Sequence, residues 1–278
     1  YARLARRHGP LLTVPTPMFG NVVMLLEPKL VRAMMSSPPG ALVSGRGNAV
    51  LGFLYGRSSM FLVDGEPHHR LRRLLVPPFR NRDTLARYAA VIEAVAEDVL
   101  DALPVGKPFA LLPELRHGML EIILHVVFGI EDEAQLAPFR EAMTELLDIS
   151  ASNATSVRFA MRKWGGLRRW DRLQRALARS NELIYAQIRR RRDDPATEQR
   201  DDILALLLRT RAEDGSLLTD TEIRDQLVTL LIAGHETTAT TLAWAMERLL
   251  RTPAALARMQ ADFAAGSNAY ADAVVSET

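Results

Sequence analysis

The sequence predicts a mostly α-helical fold with one small β hairpin near its N-terminus. Three observations carry that prediction. From Glu66 to the last residue, apolar side chains recur at helical spacing through nine successive segments. The breaks between segments are helix stoppers or polar runs of loop length: Pro77-Pro78, Pro104 with Gly106, Gly129, SASNATS at 150–156, Gly165-Gly166 and DDPATEQRDD at 193–202. Only two short β-prone runs stand out, LLTVP at 11–15 and NVVML at 21–25.

Taken in order, residues 1–8 read as the tail of a basic helix. The two β-prone runs are joined by Pro17-Met18-Phe19-Gly20, a turn sequence that makes them a hairpin. Glu27-Pro28 opens a short helix reaching Met35, with proline in the first turn, where its missing N–H is no loss. Residues 36–66 are rich in Gly, Pro and Ser and read as a long loop with at most short turns. Loops this long inside compact domains are usually functional or disordered. Phe53, Leu54, Tyr55, Met60 and Phe61 make this one too apolar for a disordered linker. Helices are then expected over 66–76, 83–103, 110–128, 133–149, 167–192, 201–213, 219–251, 254–264 and 269–278. The longest has the clearest ends. Thr219 stands three residues before Glu222 at capping-box spacing, Asp220 adds negative charge in the first turn, and Arg248, Arg251 and Pro253 mark the exit. At about 1.5 Å per residue it spans roughly 48 Å. No internal repeat and no shift in composition marks a boundary, so residues 1–278 read as one domain.

Composition excludes several classes. The chain has 278 residues, 48% hydrophobic and 24% charged, ordinary for a soluble globular protein, and its net charge is only +2. It is therefore no general polyanion binder, and the computed pI near 9.1 reflects arginine: all but three of the 35 basic residues are Arg. Aromatics are sparse around the Arg189–Arg192 run, which argues against nucleic-acid binding. That run closes a helix, where cations complement the dipole. With no cysteine there is no disulfide, thiolate nucleophile or thiolate metal ligand. No signal peptide or transmembrane run is visible. The chain begins at Tyr1 and stops in what reads as mid-helix, so both ends read as cut.

Chemistry concentrates in two stretches. The middle of the longest helix, Ala233-Gly234-His235-Glu236-Thr237-Thr238, contradicts helix propensity. Gly234 costs about 1 kcal/mol against Ala, and the threonines are stiff and able to bond back to the preceding turn. Such violations often mark functional sites, although a small-residue crossing with Glu236 turned to solvent would also produce them. In Asp64–Leu75, His68 and Arg72 lie four apart and share a helix face, while Leu71, Leu74 and Leu75 make the apolar side. They suit a carboxylate or phosphate ligand, or else form a solvated basic face. A third pattern is weaker. Glu114-x-x-His117 and Glu66-x-x-His69 match the spacing of di-iron carboxylate bundles, but a polar stripe opposite an apolar one is what any surface helix shows. No phosphate loop, nucleophile elbow or HExxH is present.

The hexapeptide 233–238 resembles the [AG]-G-x-[DE]-T-[TS] signature in the long central helix of the cytochrome P450 monooxygenases. His68-His69-Arg70-Leu71-Arg72-Arg73 resembles that family's H-x-R-x-R-R pattern, and Glu277-Thr278 stands where its E-x-x-R motif begins. Order and separation match as well, and the likeness covers essentially the whole chain, closer to soluble bacterial members than to membrane-anchored ones.

The resemblance implies a haem cofactor and insertion of one oxygen atom of O2 into a small apolar organic substrate. It implies that His68 and Arg72 neutralise a haem propionate, and that Ala233, Gly234 and Thr238 border the haem. Thr237 would hydrogen-bond the iron-bound oxygen and Glu236 would relay protons. Phe53, Leu54, Met60, Phe61 and the segment around 150–165 fall where that family shapes its substrate pocket. Partners would be a ferredoxin and its reductase, met in part by Arg73, Arg80 and Arg82, with no nucleic acid and no membrane. The protein would be a cytoplasmic monomer. The departure is the missing cysteine, because the family's axial ligand is a thiolate. It fits a haem-ligand region lying beyond these residues, which would leave the fragment itself inactive. The competing reading is a haem-free helical protein, either a di-iron carboxylate oxidase or a non-catalytic binding protein.

Overall fold

The computed structural model describes residues 2–16, 19–38, 40–151, 170–211 and 215–278. It bears out the mostly helical fold with one hairpin. A basic helix α1 (Ala2–His8) leads into β1 (Leu11–Thr16) and β2 (Gly20–Leu25), paired antiparallel from Leu11↔Leu25 to Thr16↔Gly20. Gly20 closes the hairpin at φ +69°, a conformation glycine adopts without the Cβ penalty. Helix α2 (Pro28–Met35) follows, opened by its proline as the sequence requires.

The stretch 36–66 is not bare loop. It winds into α3 (Ser44–Asn48), a 3₁₀ turn (Ala49–Leu51) and α4 (Gly52–Tyr55), pieces too short to show helical periodicity. Next come α5 (Gly65–Leu75), a 3₁₀ turn at Pro77–Arg80, α6 (Arg82–Ala102), α7 (Leu111–Val126), α8 (Glu133–Ala151) and α9 (Trp170–Asp193). Helix α10 covers only Ile203–Arg209, shorter than the expected 201–213. Asp202 caps its start by accepting from the Ala205 N–H, and Thr210 turns extended so that Arg211 can bridge Leu217. The chain then runs through α11 (Asp220–Leu250), α12 (Pro253–Ala264) and α13 (Ala269–Glu277).

Helix α11 is the axis of the fold. Its predicted capping box is formed: Thr219 Oγ1 accepts from the Glu222 N–H at 3.2 Å, and a Glu222 carboxylate oxygen accepts from the Thr219 N–H at 2.8 Å. Its first half is buried on all sides, from Ile223 through Thr229, and joins a core built from Leu120, Leu124, Phe128, Met143, Ile184, Ile188 and Leu204. Burying each such side chain fully is worth about 1.5–3 kcal/mol, so this core outweighs any propensity lost at Gly234. From Thr240 onward α11 is largely exposed, with Trp244 56% and Leu250 64% accessible. Among the described residues no helix is long and apolar enough to cross a membrane.

The Arg189–Arg192 run is not uniformly solvated. Arg191 is 4% exposed, donates to Asp202 at 2.9 Å and to the Gly129 carbonyl at 2.6 Å, and thereby locks the end of α7 to α9 and α10. Arg192 pairs with Asp220 in the first turn of α11, where the carboxylate also faces the positive end of that helix.

Candidate functional site

Helices α7 and α11 pack closely side by side, and their contact creates the site. Gly234 faces this seam: a Cβ added there would come within 3.6 Å of Ile123 Cδ1. The glycine thus sits at a helix crossing, as the packing interpretation of the hexapeptide requires, but Glu236, its side chain 42% exposed, is held by a partner on α7. Arg116 of α7 donates to it through both edges of the guanidinium, Nε to Oε2 at 2.8 Å and Nη2 to Oε1 at 2.5 Å. This is the two-point geometry that carboxylates accept best. Thr240 Oγ1 adds a weaker donation to the same carboxylate at 3.3 Å. The Arg116 hydrogen bonds are the main reason the Glu236 carboxyl is held below the usual carboxylate range, so it is ionised at neutral pH.

His235, buried at 7% exposure, fastens the seam from the other side. Its Nε2 lies 3.0 Å from the Arg116 carbonyl oxygen. A carbonyl only accepts, so Nε2 carries the proton and the ring is the Nε2–H tautomer. Burial pushes the imidazole pKa down, which keeps the ring neutral. One residue of α7 therefore meets two consecutive residues of α11, its backbone on His235 and its side chain on Glu236.

Thr237 lies one position further round, exposed, with Oγ1 donating back to the Ala233 carbonyl at 2.5 Å. Thr238, Thr240 and Thr241 are exposed too, while Ala233 and Gly234 are half-buried. The signature therefore forms an open face of hydroxyls and small residues beside a clamped carboxylate.

A cavity of about 460 Å³ borders the clamp. Leu51, Leu54 and Tyr55 line it from the 36–66 stretch, and Arg116, His235 and Glu236 from the seam. Of the four loop residues expected to shape a pocket, only Leu54 lines this one. Phe53 and Met60 pack against core clusters, and Phe61 is exposed. Ser150 and Ala151 reach the cavity, whereas the rest of the expected 150–165 wall, 152–165, lies outside the described residues.

His68 and Arg72 sit on α5, which the buried Leu71, Leu74 and Leu75 press against the core. Arg70 ties α5 to α11 by donating to Glu222 at 2.8 Å. Arg73 pairs instead with Glu66 at 2.7 Å. Arg72 is exposed and has no hydrogen bond or ion pair among the described residues, and none joins His68 or Arg72 to 233–238. Arg72, His69, Arg73 and Arg80 line a separate basic hollow of about 600 Å³. The di-iron pattern does not assemble: among the described residues no three His, Asp or Glu side chains gather to hold a metal, and Glu121 is engaged by Arg140 at 2.6 Å.

Arg116 is the residue that the sequence reading missed. Its signal was a charge within an apolar helix stripe, since Arg116, Met119, Leu120 and Ile123 fall on one face of α7.

A family model described as Cytochrome P450 matches residues 1–265. Cytochrome P450 137 of Mycobacterium tuberculosis is 39% identical over 276 residues, covering 99% of this chain. Cytochrome P450 135B1 of Mycobacterium bovis is 40% identical over 279 residues, covering 98%. The chain spans 58% of the length of each of these relatives. Among solved structures, the cytochrome P450DA heme domain superposes with a TM-score of 0.72 at 24% identity, covering 92% of this chain and 56% of that one. The retinoic acid-bound cyanobacterial CYP120A1 superposes with a TM-score of 0.71 at 20% identity, covering 94% and 57%. At these identities the structures speak for the fold.

Proposed function

Because this chain belongs to the cytochrome P450 family of haem-binding oxidoreductases, we propose that residues 1–278 form the oxygen-side part of one monooxygenase domain. The whole protein would insert one oxygen atom of O2 into a small apolar organic substrate, with electrons delivered by a ferredoxin and its reductase. The observation that carries this reading is the clamped, ionised Glu236 next to the exposed Thr237 hydroxyl on the open face of α11.

The residues present suit haem in two respects. The unpartnered guanidinium of Arg72, with His68 a turn away, can take a haem carboxylate, and the Ala233–Thr238 face offers small side chains and hydroxyls where a flat apolar ring needs close approach. The axial thiolate is not supplied by these 278 residues, which contain no cysteine. When bound, haem would supply the electron-transfer and oxygen chemistry. The chain's own part is placement and protons. Arg116 orients the Glu236 carboxylate and keeps it deprotonated, while the exposed part of the carboxylate remains open to water. Thr237 Oγ1 already donates one hydrogen bond, so its lone pairs remain to accept a proton-bearing donor on the open side. To hand a proton on as well, the O–H must turn off the Ala233 carbonyl toward the open side, so that each proton the oxygen takes up is balanced by the one it releases there. Leu51, Leu54 and Tyr55 would hold the apolar substrate beside the Arg116–Glu236 clamp.

The test is Thr237→Ala in the whole haem-loaded protein, comparing oxygen consumed with product formed. Product per oxygen should fall by about a hundredfold or more, the range typical of losing one acid–base group. Unchanged coupling would refute the proton role.

A further inference from the structure

The first half of α11 holds four polar side chains where a core helix would ordinarily be apolar. Arg224, Asp225, Gln226 and Thr229 are each 6% exposed or less. Apart from one bond from Arg224 to Asn181 of α9, their partners between elements lie in residues 54–60, more than 160 positions earlier, and most of them are backbone groups. Gln226 bonds that segment at two points, donating Nε2 to the Ser58 carbonyl at 2.6 Å and accepting the Met60 N–H on Oε1 at 3.0 Å. Asp225 accepts the Ser58 N–H at 2.9 Å. Arg224 donates to the Tyr55 carbonyl at 3.1 Å and the Leu54 carbonyl at 3.4 Å, while its Nε donates to Asn181 of α9 at 2.7 Å. Thr229 and the wholly buried Ser59 share a hydrogen bond at 2.7 Å. Backbone groups that a strand partner would normally satisfy are satisfied here by the side chains of one helix.

The approach is so close that it fixes a residue type. Gly56 sits at φ +87°, and a Cβ there would fall 1.9 Å from Asp225 Oδ1. The segment held in this way is continuous with the cavity wall, because Leu54 and Tyr55, whose carbonyls Arg224 grips, line the cavity beside Glu236.

We propose that Gln226, aided by Arg224, Asp225 and Thr229, is a positioning residue for the substrate cavity, fixing residues 54–60 to α11 and so setting the distance between the Leu51–Leu54–Tyr55 wall and the Arg116–Glu236 clamp. The inference rests on the reading of that cavity as the place for an apolar substrate. It adds that shape selection is governed from nearly three turns up the same helix that carries the clamp. A stiff wall admits ligands of one size, and loosening it weakens binding without touching any residue that meets the ligand.

Gln226→Met is the sharpest test, since it keeps size and burial and removes both hydrogen bonds. Two readouts need no haem: hydrogen exchange of the Met60 amide, and affinity of the 278-residue chain for the apolar dye Nile red. The expected result is Met60 exchange at least about tenfold faster and dye affinity about tenfold weaker, equivalent to about 1.4 kcal/mol. Ile203→Ala, a core truncation on α10 that touches neither the cavity nor the strut, serves as the stability-matched control and should leave dye affinity as it was. Equal dye affinity in the wild type and Gln226→Met, or Met60 exchange at the wild-type rate, would overturn the proposal. Leu54→Trp fills the cavity while leaving the strut in place. Undiminished dye binding there would refute the cavity reading beneath the proposal, whereas Met60 exchange reports on the strut independently.

Discussion

Gly129 offers the cleanest measurement of what holds the site's frame together. It follows the end of α7 at φ +64°, and its carbonyl accepts from both Arg191 and Arg200. A methyl group at Gly129 would lie 2.1 Å from Arg191 Nη2 and 2.3 Å from Asp202 Cγ. Gly129→Ala thus incurs two costs. Holding a non-glycine residue in the left-handed region costs about 1–2 kcal/mol. Forcing apart an ion pair whose side chains are only 5% and 6% exposed costs up to about 3–5 kcal/mol, because Arg191 is left buried without its carboxylate while Asp202 keeps only Arg200, at 2.9 Å. The sum, up to about 4–7 kcal/mol, is a large share of the 5–15 kcal/mol by which domains are stable. Gly106→Ala separates the two costs. Gly106 has φ +78° but nothing within 4 Å of its would-be Cβ, so it reports the conformational term alone. The assay is urea unfolding followed by far-ultraviolet circular dichroism. With a slope of about 3 kcal/mol per molar, Gly129→Ala should lower the midpoint by up to roughly 1.3–2.3 M and Gly106→Ala by under about 0.7 M. Equal shifts for the two variants would refute the claim that the Arg191–Asp202 pair cannot move aside.

Two further outcomes concern the seam. Arg116→Gln removes the main cause of the low Glu236 pKa, so the carboxyl should titrate higher, with Arg116→Lys in between because an ammonium lacks the two-point fork. Carbon-13 chemical shifts of the Glu236 carboxyl across pH check this, and an unmoved titration would show that Arg116 is not what holds the charge. For His235, the folded pKa is depressed, so the unfolded chain binds the proton first as pH falls. Stability should therefore decline as pH drops below about 6.5, the ordinary imidazole value, down to the depressed folded value. His235→Gln, still able to donate to the Arg116 carbonyl, should flatten urea midpoints across that window, and parallel curves for the two proteins would contradict the assignment.

What could be read from the sequence follows the range of the forces involved. Elements fixed locally were legible. The Thr219–Glu222 capping box and the proline opening of α2 depend on neighbours within four residues, and the LLTVP–NVVML pairing spans one short turn. The 44–55 stretch hid its short helices because four- and five-residue pieces contain barely one turn of periodicity. Arg191 looked like one of four equivalent surface arginines, and only the fold decides that it meets Asp202 and the Gly129 carbonyl. At the site, Thr237 could be singled out because it violates helix propensity in place, and Glu236 because it is an acid set among residues expected to face the core. Arg116 reaches Glu236 across 120 positions and Gln226 reaches Ser58 across 168, and no local pattern encodes either pairing.

The buried polar half of α11 and its open half are best understood together. Replacing buried ionic and amide groups with well-packed hydrophobic residues is often neutral or stabilising, so stability alone does not explain the Arg224–Asp225–Gln226 run. Among the described residues no buried side-chain nitrogen or oxygen lacks a hydrogen-bond partner, which means the run is a completed network and not a residue of poor packing. Hydrogen bonds differ from apolar contacts in being directional, and what this network directs is position. It fixes α11 against residues 54–60, against α9 through Asn181 and, with Arg70 on Glu222, against α5. Residues 233–238 lie within three turns of that anchored stretch. A helix is stiff over this distance, so the clamp at Glu236 inherits the register set at Gln226. The second half of α11 can then remain open and rich in threonine without losing the placement of its carboxylate.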